Sequence, residues 1–468
     1  MPTSTCAGAR QRREPESGEP ESGERGATLF LMIVSLVIML GVSAFAIDLG
    51  LHYVVRSEAQ RAADAGALAG AKTFVDSGYL SGAITQSEAE DLARQTAITV
   101  ASQNLVGGQL ASVLPADVSF DFTNPENPLI TVLVARDTGH GNPMPTLFAR
   151  ALGITQSNIS AAATAEAFTP AGGNVPVGTS CMKPWILPNC DPTHTVASGS
   201  PEENPNCPGI SYYVDPANDG EVLNPGSVAN GGVVGAEFIL KPGLPNEAPV
   251  PGQFYPIQIP PGDEPALCPE CAQTPGGSEG PGGALYRHNI ACCNTNVFVC
   301  GQQFDVDEQT GNMVGPTNQG VTCLIHQQQP QCGGNPANCG QDYIPDPTNA
   351  PFYIVGGTNN PIALLRGVAP ISSTDSLVTV PLYEGYPLSP GESGALPTVT
   401  VVGFLQVFLK KVGPPQSTVI AYVMNVAGCG GGSAGGGSGG SGGSPPGGGV
   451  ITTPAGLPFP VRLVRPGS

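Results

Sequence analysis

Residues 27–47 read ATLFLMIVSLVIMLGVSAFAI and contain no charged side chain. A helix needs about 20 such residues to cross the hydrocarbon core of a bilayer. A helix also satisfies all of its backbone polar groups internally, which lipid requires. The stretch therefore predicts one transmembrane helix that begins at Ala27 and ends at Ile47, with Asp48 as the first charged residue beyond it.

A cleaved signal peptide is the alternative interpretation of this stretch. Signal peptides have apolar cores of about 7–15 residues that end in a small-x-small site, and Ser43-Ala44-Phe45-Ala46 resembles such a site. A retained anchor is favoured because the stretch is longer than these cores. The helical pattern also continues without a Gly/Pro turn to about Val75, which predicts a helical stalk beyond the membrane.

The predicted stalk carries two features with open interpretations. Asp48 is either a polar stop at the membrane interface or a contact for a specific partner, since charged groups deep in lipid are costly. Farther along, small side chains recur at helical spacing and form one smooth face, which lets another backbone approach closely. This small-residue face packs either on the chain's own helix at 87–105 or on a pilin or another anchor subunit; it comprises Ala59, Ala62, Ala63, Gly66, Ala67 and Gly70.

The overall composition excludes some functions. Of the 468 residues only 12% are charged, and the net charge is −19. Nucleic-acid binding needs a basic surface, so no nucleic-acid partner is expected. The same charge argues against docking on anionic lipid headgroups. The 64 glycines and 49 prolines favour strands, turns and loops over helical bundles.

The cysteines indicate on which side of the membrane the bulk of the chain lies. Cys6 precedes the apolar stretch, and the other twelve cysteines follow it. An even set on one side predicts up to six disulfides in an oxidising compartment, so the N-terminus is expected in the cytoplasm. The candidates are Cys181, Cys190, Cys207, Cys268, Cys271, Cys292, Cys293, Cys300, Cys323, Cys332, Cys339 and Cys429.

Metal, cofactor and catalytic sites are not expected. Cys268-Pro-Glu-Cys271 suggests zinc, but the second pair is the vicinal Cys292-Cys293 and not another Cys-x-x-Cys, so disulfides are favoured. The acidic segment 305–311 begins like a calcium loop, yet Thr310 and Pro316 replace the glycine and glutamate that such a loop needs. The five histidines are scattered without a catalytic motif, so the chain is not expected to be an enzyme.

The predicted fold class is α+β, with a transmembrane helix, a small α+β unit and a β-rich ectodomain that contains disulfides. Within the small unit, residues 144–152 are predicted to form a short helix and 159–168 a strand. The apolar tail at 457–464 is predicted to return as an edge strand. The predicted divisions are a disordered tail at 1–25, the anchor and stalk at 26–75, the small unit at 76–168, the ectodomain at 169–427, a Gly/Ser linker at 428–449, and a strand and tail at 450–468.

Several motifs resemble one bacterial family. The anchor contains Asp48-x-Gly50-x-x-Tyr53-x-x-Arg56, followed by the alanine-rich segment 59–71, and resembles the N-terminal signature of TadG-like Flp/Tad pilus-assembly proteins. Blocks similar to segments of these proteins recur downstream. They are Cys181-Met-Lys-Pro-Trp185, Tyr286-Arg-His-Asn-Ile290 and Gly311-Asn-Met-Val-Gly-Pro-Thr317 with Gln319-Gly-Val321.

The resemblance implies a single-pass protein of the inner membrane that associates with pilus-assembly or pilin-like proteins. Two departures qualify it. Leu31 stands where related pseudopilins carry the glutamate used by the prepilin peptidase, and no Asp-x-Ser-x-Ser metal motif of a von Willebrand A domain is present. The expected function is therefore a structural or interaction role in pilus assembly. An envelope adhesin or binding module is the alternative, and an exported enzyme is a third.

Overall fold

The computed structural model describes most of the chain outside its N-terminal tail and several loops. The described residues are 24–124, 127–167, 177–218, 220–241, 250–259, 268, 283–306, 313–327, 339–349, 352–371, 374–385, 388, 397–413, 418–429, 451–453 and 461–464. Of the predicted tail at 1–25, residues 1–23 lie outside the described part, and residues 24 and 25 belong to the first helix. Of the predicted linker at 428–449, residues 430–449 lie outside it, and Gly428 ends a strand.

The first helix, α1, is unbroken over the 53 residues Glu24–Asp76. Its two halves have opposite surroundings. The large apolar side chains between Leu29 and Val54 are mostly exposed, whereas Val55 is 1% exposed and begins a buried stripe that runs to Val75. Residues 55–76 are therefore not a free-standing stalk, because they form the central helix of a packed unit.

An α+β unit surrounds the second half of α1. The sheet of this unit packs on α1, and the helix α2 also packs directly on α1. The predicted helix at 144–152 was wrong, since a short strand there is followed by a 3-10 turn at Ala149–Leu152. The elements after α1 are α2 Gln86–Ser102, β1 Leu105–Val106, β2 Gln109–Leu110, β3 Val118–Asp121, β4 Leu129–Arg136, β5 Met144–Pro145, β6 Gln156–Ser157 and β7 Ile159–Ala167.

The ectodomain that follows is rich in strands and also contains two short helices that the sequence did not predict. Its elements are β8 Val177–Thr179, β9 Trp185–Pro188, β10 Asp191–Thr195, β11 Ile210–Ser211, β12 Val214–Asp215, β13 Glu221–Val222, β14 Glu237–Lys241, β15 Tyr255–Pro256, α3 Gly283–Ala291, β16 Phe298–Val299, β17 Gln303–Asp305, α4 Val314–Leu324, β18 Leu377–Tyr383, β19 Thr398–Gly413 and β20 Thr418–Gly428. Two strands close the chain, β21 Ile451–Thr453 and β22 Val461–Val464. The fold class is α+β, as predicted.

Two sheets organise the molecule. The ectodomain sheet has the order β14-β20-β19-β18-β9-β15, in which β18 and β9 are parallel and the other neighbours are antiparallel. The sheet of the α+β unit has the order β22-β7-β4-β3. Strand β22 from the C-terminal tail lies at its edge and pairs with β7. The last described strand thus returns to the unit built on the membrane helix.

The two units contact each other where α1 ends. Ser81 donates its hydroxyl to the Asn425 side chain over 3.1 Å, and both residues are buried. The Gly226 amide donates to the Ser81 carbonyl over 2.6 Å. Ala83 lies in the ectodomain core, while Ala427 of β20 lies in the core of the α+β unit. The ectodomain is therefore packed directly on the unit that contains α1.

Candidate functional site at the membrane junction

The apolar half of α1 fits a membrane anchor by length and composition. It is the one helix among the described residues that is long and apolar enough to cross a bilayer, and none of its most apolar window is buried in protein. In water this exposure would be unfavourable, since each large apolar side chain favours burial by about 1.5–3 kcal/mol. Lipid provides that burial, so the chain has an N-terminal segment suited to anchoring it in a membrane.

Asp48 sits where the apolar stretch ends and is held by a loop of the same chain. Its carboxylate accepts three backbone hydrogen bonds, from the amides of Leu147 at 3.0 Å, Phe148 at 3.0 Å and Ala149 at 2.6 Å. One turn farther along α1, His52 hydrogen-bonds to the Ser157 hydroxyl at 2.8 Å. We call residues 146–155, which connect β5 and β6, the junction loop. Sequence reasoning left the partner of Asp48 open, and the structure provides one within the chain.

The small-residue face of α1 is covered by the chain itself. Helix α2 presents its own stripe of alanines, Ala89, Ala93, Ala97 and Ala101, and each is fully buried. The alanines of the α1 face are at most 1% exposed. Of the two arrangements that the sequence allowed, the structure has packing on the chain's own second helix. Lateral association through this face would require the α+β unit to open.

Close approach of α1 and α2 depends on glycine. A Cβ atom at Gly66 would lie 2.9 Å from the Ala101 Cβ and 3.1 Å from the Ala97 carbonyl oxygen. A Cβ atom at Gly70 would lie 2.3 Å from the Ile130 Cδ1 and 3.2 Å from the Ala97 Cβ. Real Cβ contacts are rarely this short, so a side chain at Gly66 would force the two helices apart, whereas one at Gly70 would first displace the end of the Ile130 side chain.

Substituting Gly66→Leu is expected to lower the free energy of unfolding of the α+β unit by about 2 kcal/mol, because overpacking a tight core strains it. Gly50→Leu on the exposed half of the same helix is the matched control, since no atom lies within 4 Å of the place that a Cβ atom would take there. Amide hydrogen exchange of α2 in the reconstituted full chain measures the effect. Equal protection of α2 in both variants would contradict the close packing of α1 on α2.

The predicted disulfides are present in the ectodomain. The described residues include both cysteines of four disulfides, and these disulfides close loops of very different length. Their sequence separations are 112 for Cys181–Cys293, 17 for Cys190–Cys207, 24 for Cys268–Cys292 and 129 for Cys300–Cys429. Cys323 and Cys339 are also disulfide-bonded. The remaining candidates, Cys271 and Cys332, and the N-terminal Cys6 lie outside the described residues.

Of the four cysteines that suggested zinc, Cys268, Cys292 and Cys293 form disulfides, and Cys271 lies outside the described residues. Cys268, His288 and Cys292 place their potential ligand atoms within 4.8 Å of one another. Zinc requires thiolates, whereas Cys268 and Cys292 are bonded to each other. Of the acidic segment considered for calcium, Asp305 accepts a hydrogen bond from the Thr398 hydroxyl at 2.6 Å, and residues 307–312 lie outside the described part of the chain.

The three downstream sequence blocks that carried the family resemblance meet in one buried cluster. Trp185 is fully buried, stacks on Phe254 at a centroid distance of 4.6 Å, and donates its indole N–H to the Tyr286 hydroxyl at 2.9 Å. Tyr286 in turn lies 3.3 Å from the Thr317 hydroxyl of α4. Burial raises the pKa of Tyr286, so its hydroxyl stays protonated. These residues form a packing centre that joins β9, α3 and α4.

Lys183 lies beside this cluster and is held by a backbone carbonyl group. Its Nζ donates to the Cys292 carbonyl at 3.1 Å, and the residue is 5% exposed. Burial lowers the pKa of Lys183 from 10.5 to about 8, although the charge of Asp375 acts in the opposite direction. The interior of the chain thus contains an amine that loses its proton at mildly alkaline pH.

The histidines are separated and held by different neighbours. His140 bridges Asp117 at 2.9 Å and Asp137 at 2.8 Å, and these hydrogen bonds, that of Asp117 first, raise its pKa. His194 bonds the Asp191 carboxylate through Nδ1 and the Gly231 carbonyl through Nε2. Both ring nitrogens of each of these histidines are therefore engaged in contacts that join neighbouring loops.

Comparison with known proteins identifies the anchor region. Residues 26–73 match the Tad family model, which describes TadE/G-like proteins of Flp pilus assembly. The matched segment coincides with α1, so the resemblance drawn from the Asp48–Arg56 motif and the alanine-rich segment is confirmed there. No curated protein and no solved structure matches the chain.

Proposed function

We propose that this chain is a single-pass inner-membrane protein with a structural role in assembly of a Tad/Flp-type pilus. The observation that carries the proposal is the family match over 26–73. That segment is also one unbroken helix, which has an exposed apolar half and a half buried in the fold. The anchor and the first domain are thus a single structural element.

The proposed orientation places the N-terminus in the cytoplasm and the rest of the chain on the opposite side. The disulfide-bonded cysteines support this orientation, because disulfides persist in oxidising compartments and are rare in the cytosol. The role that we propose is not enzymatic. The described histidines hydrogen-bond to neighbouring side chains and carbonyls, and the buried blocks that resemble downstream segments of the family have packing contacts that explain their burial.

The geometry supports a role as a rigid platform. A hinge between a membrane helix and a domain would let the domain tumble, but α1 passes from the anchor into the core without interruption. The ectodomain then packs on that unit through Ser81 and Asn425. Movements of the membrane helix would be transmitted to the ectodomain surface. In this proposal the outer surface of the ectodomain, and not the small-residue face, meets the pilus components.

Deletion of the gene should abolish pili, and the full chain supplied in trans should restore them, as counted by electron microscopy. A variant in which a cleavable signal peptide replaces residues 1–47 should export residues 48–468 without restoring pili. The control replaces 27–47 by an unrelated transmembrane helix and should restore them.

Piliated cells that lack this chain would contradict the proposed role. If those cells also lost attachment to surfaces, the adhesin alternative would be favoured. Restoration of pili by the exported, unanchored residues 48–468 would show that the anchor has no structural role in assembly.

A further inference from the structure

The junction loop exposes large apolar side chains to an unusual degree. Leu152 is 85% exposed, and Leu147, Phe148 and Ile154 are each about half exposed or more. Contiguous exposed apolar side chains in a soluble region mark a binding surface, because a water-facing loop gains nothing from them. The two ends of the loop are joined by a hydrogen bond from the Thr146 amide to the Thr155 carbonyl.

The position of the loop along α1 indicates what covers it. The loop is tied to α1 at Asp48 and, through Ser157, at His52. Asp48 is the first charged residue after the apolar stretch, so the loop lies at the level where lipid ends. Ala44, one turn closer to the membrane on the same helix face, is also partly buried, whereas its neighbours in the stretch are exposed.

The charge of this region fits a membrane interface. Between residues 141 and 165 the one charged side chain is Arg150, in a chain whose net charge is −19. Arginine on an apolar loop can keep its guanidinium among headgroups while its stem lies along apolar surface. The backbone amides of 147–149, which would otherwise be unsatisfied in lipid, are hydrogen-bonded to Asp48.

We propose that the junction loop inserts its apolar side chains into the extracytoplasmic interface of the bilayer that α1 crosses. The occupant of this surface is lipid, at the boundary between headgroups and acyl chains. The insertion provides a second membrane contact beside the helix, and two contacts fix the tilt and rotation of the ectodomain where one would leave them free. The proposal rests on α1 as a membrane anchor and does not depend on the role in pilus assembly.

Tryptophan fluorescence in proteoliposomes tests this contact in the full chain. Trp185 is the sole native tryptophan and is fully buried, so it provides a constant background. We would introduce Leu152→Trp and measure quenching by zwitterionic lipids brominated on their acyl chains. After subtraction of the wild-type signal, emission should fall by about half or more, because a tryptophan side chain at the membrane interface lies close to the brominated acyl chains.

Two matched variants make the result interpretable. Leu364→Trp, at an equally exposed leucine of the ectodomain, should not be quenched. Val37→Trp, in the middle of the apolar stretch, should be quenched strongly and reports whether the anchor is inserted. Asp48→Ala removes the acceptor of three loop amides and should reduce quenching at position 152 while quenching at position 37 persists.

Some outcomes would overturn the proposal. If Val37→Trp is quenched and Leu152→Trp is not, the loop does not contact lipid although the anchor does. If added pilus components, rather than lipid, shift the emission at position 152, the loop binds protein. Amide hydrogen exchange of α2 in each variant verifies that the α+β unit, to which the junction loop belongs, has folded, so that loss of quenching is not caused by misfolding.

Discussion

Replacing Cys300 and Cys429 together by serine should lower the free energy of unfolding of the ectodomain by about 5 kcal/mol. Loss of a cross-link increases the conformational entropy of the unfolded chain, and this increase is larger when the disulfide closed a longer loop. This pair has a sequence separation of 129 and fastens the segment just after β20 to the region around β16. The Cys429 amide also donates to Val402 of β19, so the cross-link secures the long antiparallel pair of strands.

The pair Cys190–Cys207 provides the matched comparison. Its sequence separation is 17, and serine at both positions should lower the free energy of unfolding by about 3 kcal/mol on the same relation. Denaturant unfolding of the reconstituted chain, followed by fluorescence of the buried Trp185, measures both. An equal or smaller loss for the 300–429 pair would contradict the argument from loop length.

The second large effect is a dependence of ectodomain stability on pH that arises from Lys183. The pKa of this amine is about 8 in the folded protein, against 10.5 for an unperturbed lysine. Between these values the unfolded chain binds a proton that the folded chain has released, so the free energy of unfolding rises with pH. The full rise between pH 8 and 10.5 is about 3 kcal/mol, since one pKa unit corresponds to about 1.4 kcal/mol.

Lys183→Met should remove this rise. At pH 7 the methionine variant should already have most of the stability that the wild type reaches only at high pH, less the contribution of the lost hydrogen bond to Cys292. Lys183→Arg keeps a charge at every accessible pH and should show neither the rise nor the gain. Unfolding midpoints measured from pH 7 to 10 separate the three proteins. Subtracting the methionine variant removes the opposing contribution of buried tyrosines such as Tyr286, whose raised pKa destabilises the fold at still higher pH.

The burial of the small-residue face changes how variants of α1 should be interpreted. Leucine at Ala63 or Gly66 would disturb the packing of α1 on α2, because both positions are buried against that helix and its sheet. Loss of association with other proteins in such variants would follow from an altered fold. The outer ectodomain surface is a better place to search for protein contacts, since substitutions there leave the core intact.

Much of the fold could be predicted because it depends on local patterns. The uncharged stretch, the alanine spacing on α1 and the apolar alternation at 159–168 are local patterns, and each appears as the predicted element. The segment 144–152 did not become the predicted helix. Asp48 instead accepts its amides, and only one 3-10 turn forms there.

The candidate site was harder to predict than the fold. Cysteine count indicated disulfides but not their partners, since the vicinal Cys292 and Cys293 are bonded to Cys268 and Cys181 respectively. The block Cys181–Trp185 gave no sign that Tyr286 would receive the indole N–H over a separation of 101 residues. Pairings of this kind depend on the path of the chain, which periodicity does not encode.

The sequence by itself determined that a long helix carries an apolar half and a small-residue half, because both properties follow from which side chains occupy each turn. Only the tertiary structure decided what each half meets. The small-residue face is filled by α2, whose alanines complement it, and Asp48 is satisfied by amides 99 to 101 residues away. A helix face determines the shape and polarity of the surface that can pack on it, but the tertiary packing of the whole chain determines which segment provides that surface.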